Sequence, residues 1–336
     1  MATLSRVDAF QQRHPVLGFP LAVVYKFFDD QGVYLAALVT YYGFLSLFPL
    51  LLLLASVLGF VLGDDPDLRE RILDSALSQF PVISDQLRRP EGLQGNGAAA
   101  IIGAIVLIYG ALGVAQAIQN AANVAWSIPR HLRPNPLRSR VRSVLLVATA
   151  GLGVLATTTL SVIVGGPVSD GGLTSPRGVA FTLGALAVDT FLFALVLRIA
   201  TAARLRVEVV LPGAIFASIV WQVLQVFGIA YVDGVVKDAD LTYGVFAIVL
   251  GLLAWIFFGA VGVVLGMEIN VVRAKRLYPR ALMTPFTDDV RLTSADRRTY
   301  REAALAQRHK GFERVVVTFD VEPSMDGEPG AGDSHS

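Results

Sequence analysis

The chain has 336 residues and a formal net charge of +1, with 54% hydrophobic and only 16% charged residues, against about 25% charged in an ordinary soluble domain. The apolar residues arrive in long uncharged blocks, so most of the chain needs a nonaqueous solvent. It has no cysteine, which excludes disulfides, thiolate metal sites and cysteine nucleophiles, and its four histidines, His14, His131, His309 and His335, are scattered outside the apolar blocks and offer no zinc cluster.

From Val7 to Phe28 the chain mixes Phe10, Val16, Leu17, Phe19, Tyr25, Phe27 and Phe28 with Arg and Gln, and Pro15 and Pro20 interrupt it. The expectation is a bent amphipathic segment lying on the inner membrane face. A helix rises about 1.5 Å per residue, so about 20 apolar residues cross a hydrocarbon core of about 30 Å. The first run of that length is Gln31 to Gly63. It is too long and too internal for a secretory signal, and no charged n-region with a cleavage site precedes it, so it is expected to stay in the mature protein. It holds Thr40, Tyr41, Tyr42, Ser46 and Pro49. Pro49 removes the backbone bond to the carbonyl of Leu45 and is expected to kink the helix, either as a packing bend or as one that opens a cavity beside the tyrosines. Between Asp67 and Leu87, Leu68, Ile72, Ser75, Ala76, Gln79 and Phe80 give a helical period, which predicts a short helix packed over the bundle.

The second span, Gly92 to Pro129, is the most polar. Gln116, Gln119, Asn120 and Asn123 recur at helical spacing and put four amides on one face, which is expected to turn away from lipid. Gly113, Ala117, Ala121 and Ala125 form a small-residue ridge beside it, suited to close helix contact. The amides serve either as hydrogen-bonding glue between helices or as the wall of a wet cavity. The loop that follows carries Arg130, Arg133, Arg138, Arg140 and Arg142 without interleaved aromatics, so it reads as a stretch facing anionic lipid and no nucleic-acid partner is expected.

Ser143 to Ser169 is the third span, and Gly178 to Leu197, broken only by Asp189, is the fourth. A carboxyl at mid-depth is costly, so Asp189 is expected to face inward as proton carrier, substrate contact or structural hydrogen-bond partner. The fifth, Val209 to Val232, offers Trp221, Gln222 and Gln225 at mid-depth and Tyr231 at the outer interface. The sixth, Leu241 to Met267, has Trp255, Gly259 and a Gly262/Gly266 pair, with Glu268 and Asn270 at the inner boundary. Glu268 is expected to pair with a basic loop residue such as Arg142 or Arg204. After Ala281 the composition turns soluble, with a charged helix expected over Arg297 to Lys310, a short strand at Val315 to Phe319 and a disordered end from Glu322 to Ser336.

The fold class is therefore an all-α integral membrane protein. Its expected parts are an amphipathic N-terminal segment over residues 1–30, a six-helix transmembrane domain over 31–272 and a tail over 273–336. Of the 28 basic residues, all but Arg69, Arg71, Arg88, Arg89, Arg177 and Lys237 fall in the N-terminal segment, the even-numbered turns or the tail. The positive-inside rule then places both ends in the cytoplasm. In that orientation Tyr41, Tyr42, Gln116, Gln119, Asn120, Asn123 and Glu268 occupy the cytoplasmic halves of their spans, with Asp189 and Gln222 near the middle. A polar cavity open to the cytoplasm would satisfy them together. No phosphate-cradling loop, paired-acid spacing or Ser-His-Asp arrangement is present, so neither an enzyme nor a cofactor is expected.

Four stretches resemble one family. They are AALVTYYGFLSLFPLLLLLASVLG in the first span, AIQNAANVAWSI ending the second, LPGAIFASIVWQVLQVFGIAYV in the fifth and TYGVFAIVLGLLAWIFFGAVGVVLGMEIN in the sixth. Together, over Gly18 to Pro279, they resemble the YihY/BrkB family of bacterial inner-membrane proteins, once labelled ribonuclease BN-like. The resemblance implies a six-helix inner-membrane protein tied to envelope integrity, serum resistance and passage of lipid precursors. The family pattern places its tyrosine pair on Tyr41 and Tyr42, its proline on Pro49, its amide pair on Gln119 and Asn120 or Asn123, and the acidic end of its last span on Glu268 and Asn270. Where the family commonly has Asp and Leu after the glutamine of the second span, this chain has Asn120 and Ala121, which removes a carboxylate there. The function expected from these residues is transport or flipping of a lipid or amphipathic envelope component by alternating exposure of the inner cavity. A noncatalytic scaffold is the rival, and a nuclease stands third.

Overall fold

A computed structural model describes residues 2–61, 97–164, 176–231, 241–287 and 290–319. Among them every regular element is a helix. The chain opens with α1 (Ala2–Arg13) and α2 (Pro15–Asp29), then runs through α3 (Gly32–Val61), α4 (Gly97–Ala125), α5 (Pro136–Val164), α6 (Pro176–Ala200), α7 (Val207–Tyr231) and α8 (Leu241–Lys275), and ends on α9 (Ser294–Ala306). The six long helices α3 to α8 fall where the six apolar runs predict them. Four meet the length and apolarity needed to cross a membrane over their described residues: Ile105–Ala125, Thr182–Ala200, Val207–Gly228 and Phe246–Lys275. The described apolar part of α3, Gly32–Leu47, is shorter.

Each helix from α3 to α8 packs against the next in the chain, and α8 returns to α3, so the six form a closed ring. Helix α4 also touches α6 and α8 across the ring. That central place is open to it because its inner face is small: Ala117, Ala121, Ala122 and Ala125 are all buried. In lipid, helices gain little by hiding apolar surface from one another, and close approach of small side chains supplies the packing instead. The opposite surfaces carry exposed Ile105, Ile108, Leu183, Phe191, Val226 and Phe227, as a lipid-facing wall requires.

One end of the bundle, here the capped end, is covered by α2, which packs on α8, α3 and α1. The bend expected in the N-terminal segment lies at His14, between α1 and α2, because Pro15 takes the first position of α2 where its missing N–H costs nothing. Pro20 does not end the helix. The carbonyl it leaves without a donor is that of Val16, on an exposed turn. Helices α4 and α8 stop at the capped end on residues with positive φ, Ser127 at 52° and Arg276 at 52°. In each, the next amide reaches back into the helix: Ile128 N–H to Asn123 O at 2.8 Å and Leu277 N–H to Val272 O at 3.0 Å.

The tail departs from expectation in two places. The charged helix begins at Ser294, because Thr293 and Asp296 form a reciprocal capping box that fixes its start. Val315–Phe319 is not a strand, since no other described segment is extended beside it to accept its backbone bonds. Helix α3 continues through Pro49 as one helix. The short helix expected over 67–87 and the tail end from 322 lie outside the described residues.

Candidate functional site

The polar residues within the bundle sort into five groups, each held by different neighbours. The amide face of α4 is the first. Gln119 Nε2 donates to Ser143 Oγ at 2.9 Å and Ser139 O at 3.3 Å, while Ser139 Oγ donates back to Gln119 Oε1 at 3.1 Å. Asn120 Oδ1 accepts from Arg133 Nη1 at 3.3 Å. Asn123 Oδ1 accepts from the amide of Ala202 at 3.0 Å. Three neighbouring amides thus bind the start of α5, the basic loop and the turn between α6 and α7. Gln116 is expected to face inward with them but is exposed: it lies two turns before buried Asn123 on the same side of α4, and no described neighbour covers it at that level.

Deeper in the bundle, Gln222 Nε2 on α7 donates to Asp189 Oδ2 on α6 at 2.8 Å, and Asp189 is buried. Trp221, one residue before, meets Trp255 of α8 with ring centres 5.0 Å apart, and Trp255 Nε1 donates to Leu224 O at 3.1 Å. Gln225 is half-buried one turn further along α7. Asp189→Asn keeps an oxygen for Gln222 and removes only the charge. Because interhelical hydrogen bonds in membranes average about 0.6 kcal/mol, this variant is expected to melt within about 1 kcal/mol of wild type in detergent, and thermal unfolding followed by tryptophan fluorescence checks it.

Asn270, near the end of α8, spans to α7. Its Oδ1 accepts from Gly213 N–H at 2.8 Å and its Nδ2 donates to Val210 O at 3.1 Å. Pro212 interrupts the α7 ladder at that point, and the asparagine amide bonds backbone groups on either side of it.

On the other side of the ring, Tyr41 and Tyr42 lie edge to face at 5.2 Å, and Tyr42 also meets Tyr109 of α4 at 5.9 Å. Gly113 makes room for Tyr42, since a Cβ there would lie 2.2 Å from its ring. Ser46 Oγ donates within its own helix to Gly43 O at 3.0 Å. Tyr41 is 60% exposed and borders a groove between α3 and α8 lined by Ala37, Thr40, Tyr41, Leu253, Ala254 and Phe257, with a volume of about 410 Å³. The hydroxyl of Thr40 turns back to Ala36 O at 2.8 Å, so the groove presents mostly carbon.

The capped end holds the charges. Lys26 of α2 is buried against Asp30, donates to Ala125 O at 3.2 Å, and lies 3.8 Å from Glu268 Oε2. Sequence spacing pointed to Arg142 or Arg204 as the partner of Glu268. The partner is Lys26, because α2 folds under the bundle and aims its lysine at α8, while Arg142 caps the α6 end by donating to Thr201 O at 3.3 Å. Burial works against the Lys26 ammonium, yet Glu268 and Asp30 outweigh it and its pKa is raised. Beside it, buried Arg280 pairs with Asp296 and, at 3.0 Å, with Asp29, and Gln11 donates to its backbone carbonyl at 2.6 Å. Burial opposes the guanidinium there too, and Asp29 with Asp296 raises its pKa despite it. The sequence offered two local signals of this cluster, the i,i+4 spacing of Lys26 and Asp30 and the T-x-x-D box before α9; neither reveals what they meet.

The five arginines of the basic loop divide. Arg133 and Arg142 are tied to backbone carbonyls, with burial lowering the pKa of Arg133. Arg130, Arg138 and Arg140 are exposed beside exposed Leu132, Leu137 and Val141.

A family model described as virulence factor BrkB matches residues 23–288, which includes every group above except α1 and α9. The chain is 27% identical to inner membrane protein YhjD of Escherichia coli (strain K12) over 123 residues, 34% of this chain and 36% of that protein. It is 23% identical over 257 residues to YfkH of Bacillus subtilis (strain 168), whose name carries a ribonuclease-like label, covering 73% of this chain and 91% of that one. The chain thus spans about a third of the length of YhjD and most of YfkH. No solved structure matches it.

Proposed function

This chain belongs to the virulence factor BrkB family, and we propose that it is a bacterial inner-membrane protein that moves a lipid or other amphipathic envelope component, with the acyl part seated in the groove between α3 and α8. All six long helices cross the membrane in this reading, both termini are cytoplasmic, and the capped end faces the cytoplasm. The observation that carries the proposal is the groove itself. It opens on the flank of an apolar bundle and is walled by carbon, so acyl chains can enter from the bilayer without crossing a polar surface. Its α3 residues lie in the half nearer the capped end and its α8 residues near mid-helix, which supports entry from the inner leaflet when the capped end is cytoplasmic. Exposed Arg130, Arg138 and Arg140 stand at the same end and suit an anionic headgroup. The polar cavity read from the sequence is replaced here by lateral entry, because Gln119, Asn120 and Asn123 are occupied by partners within the bundle.

The chain lacks cysteine, so single thiols report cleanly. Purified protein in liposomes carrying a fluorescent phosphatidylglycerol is expected to move that lipid between leaflets faster than empty vesicles do. Ala254→Trp, which fills the groove from α8, should slow it at least tenfold with the protein still folded. Transport equal to empty vesicles, or an Ala254→Trp rate equal to wild type, overturns the reading. The noncatalytic scaffold is favoured by a different observation, that Gln119, Asp189 and Asn270 each bond across helices. Loss of protein from Gln119→Leu cells, without transport by the wild type, would favour it. Neither reading gives the chain a catalytic role, and purified protein is expected to leave RNA uncut.

A further inference from the structure

Glu268 is fully buried, and neither of its oxygens accepts a hydrogen bond from any donor among the described residues. A bare carboxylate in that position costs several kcal/mol. Its nearest cation, Lys26, lies 3.8 Å away and is engaged by Asp30 and by Ala125 O. Its other neighbour is the carboxyl of Asp30, which pairs with the same ammonium. Two ionised carboxylates facing one ammonium carry one negative charge too many and repel each other unless one of them is protonated. Among the described residues no second cation faces it. Lys26, Asp29 and Asp30 face Glu268 from the α2 side and Ala125 offers only a carbonyl from α4. Arg280, next along, already serves both Asp29 and Asp296. No group of three His, Asp or Glu side chains among the described residues converges to hold a metal ion, and the ammonium of Lys26 would repel one.

We propose that Glu268 and Asp30 form a proton-binding site, in which Glu268 carries the proton at neutral pH and donates it to Asp30. Glu268 is the holder because it is wholly enclosed, whereas Asp30 is in direct contact with Lys26 and accepts from it. With one proton bound, the cluster of Lys26, Asp30 and Glu268 is neutral, and α2 is latched to α8 and to the end of α4. Release of the proton leaves a net negative charge buried under the bundle and weakens the seat of α2. The site stands apart from the groove and does not depend on transport.

The test uses the full chain in lipid nanodiscs. Infrared spectra at pH 7 are expected to show the carbonyl stretch of a protonated carboxylic acid that moves when glutamate is labelled with carbon-13 at its side-chain carboxyl. Glu268→Gln should abolish that band, and so should Asp30→Asn, which offers the glutamate a donor and leaves it Lys26. Absence of a glutamate-shifted band at pH 7 in the wild type overturns the proposal without any variant having to fold. A band that persists in Asp30→Asn overturns the shared proton. Melting supplies a second readout. A proton held when folded and released when unfolded makes stability fall as pH rises. Between about pH 6 and pH 9, below the titration of lysine, the wild type should lose thermal stability and Glu268→Gln, whose amide needs no proton, should not. Equal pH slopes for the two would count against the site.

Discussion

Arg280→Met is expected to unfasten α1, α2 and α9 from the capped end, with a loss of about 3–5 kcal/mol. The guanidinium is buried at 1% exposure and answers Asp296, itself wholly buried, while also reaching Asp29 and, at 3.4 Å, Tyr300 Oη. Removing it strands a carboxylate whose other oxygen is already spent on the amides of Ala281 and Thr293 at the start of α9. Methionine fills much of the volume, so the loss reports charge and hydrogen bonds more than a cavity. The effect should be local. Limited proteolysis should cut first within 276–293, near α9, while tryptophan fluorescence in a Trp126→Phe background, which leaves Trp221 and Trp255 in the bundle, melts close to the parent. Asp29→Asn is the graded control. Asp29 sits at the rim with its side chain 29% exposed, and Arg280 keeps Asp296, so less than about 1 kcal/mol should be lost. Similar losses from both variants would mean that the cap is held by packing instead of by Arg280.

That cluster marks the boundary of what the sequence makes legible. Helix placement follows largely from uncharged length, which is local information, and each of α3 to α8 covers most of one apolar run, though α5 starts at Pro136, ahead of its run, and α8 continues to Lys275, past its run. The amide face of α4 is also local, since spacing places Gln119 and Asn123 on one side of a helix. Its partners are not local. Nothing in the spacing says that Gln119 meets Ser143 or that Asn123 meets the amide of Ala202, because those meetings depend on which helices are neighbours in the ring. The same gap explains Glu268. Charge counting sought its partner among arginines of nearby turns and passed over Lys26, which lies in a segment whose apolar side suggested membrane-surface contact. Where a local pattern needs a distant partner, it misleads: Val315 to Val317 has the β-branched run of a strand, yet no described segment pairs with it. The groove was invisible for another reason. It is lined by Ala37, Leu253 and Ala254, residues whose types are common throughout the spans, and only the packing of α3 on α8 sets them together.

Gly213→Ala is expected to damage the bundle more than any other single methyl group added to a described glycine. A Cβ there would lie 1.9 Å from Gly266 O and 2.5 Å from Asn270 Nδ2. The first obstacle is backbone, so no rotamer change relieves it and α7 must move off α8. Movement breaks the bonds from Gly213 N–H to Asn270 and from Asn270 to Val210. Overpacking of this kind costs about 1–3 kcal/mol and sometimes more, and the lost interhelical bonds add about 0.6 kcal/mol each. Gly266→Ala should behave alike, with its Cβ 2.6 Å from Gly213 O, which gives the Gly262/Gly266 pair a defined purpose: Gly262 admits Val220 and Gly266 admits the backbone of α7. The comparison that isolates contact from helix propensity is Gly151→Ala on α5, where a Cβ meets nothing within 4 Å. Alanine favours a helix over glycine by about 0.8–1 kcal/mol, so Gly151→Ala should melt at or above wild type while Gly213→Ala melts well below it. Heating both in detergent and measuring the monodisperse fraction by size-exclusion chromatography distinguishes them. Equal survival would mean that α7 and α8 do not approach as closely as Gly213 and Gly266 require, and the hydrogen bonds of Asn270 would then have to be reassigned.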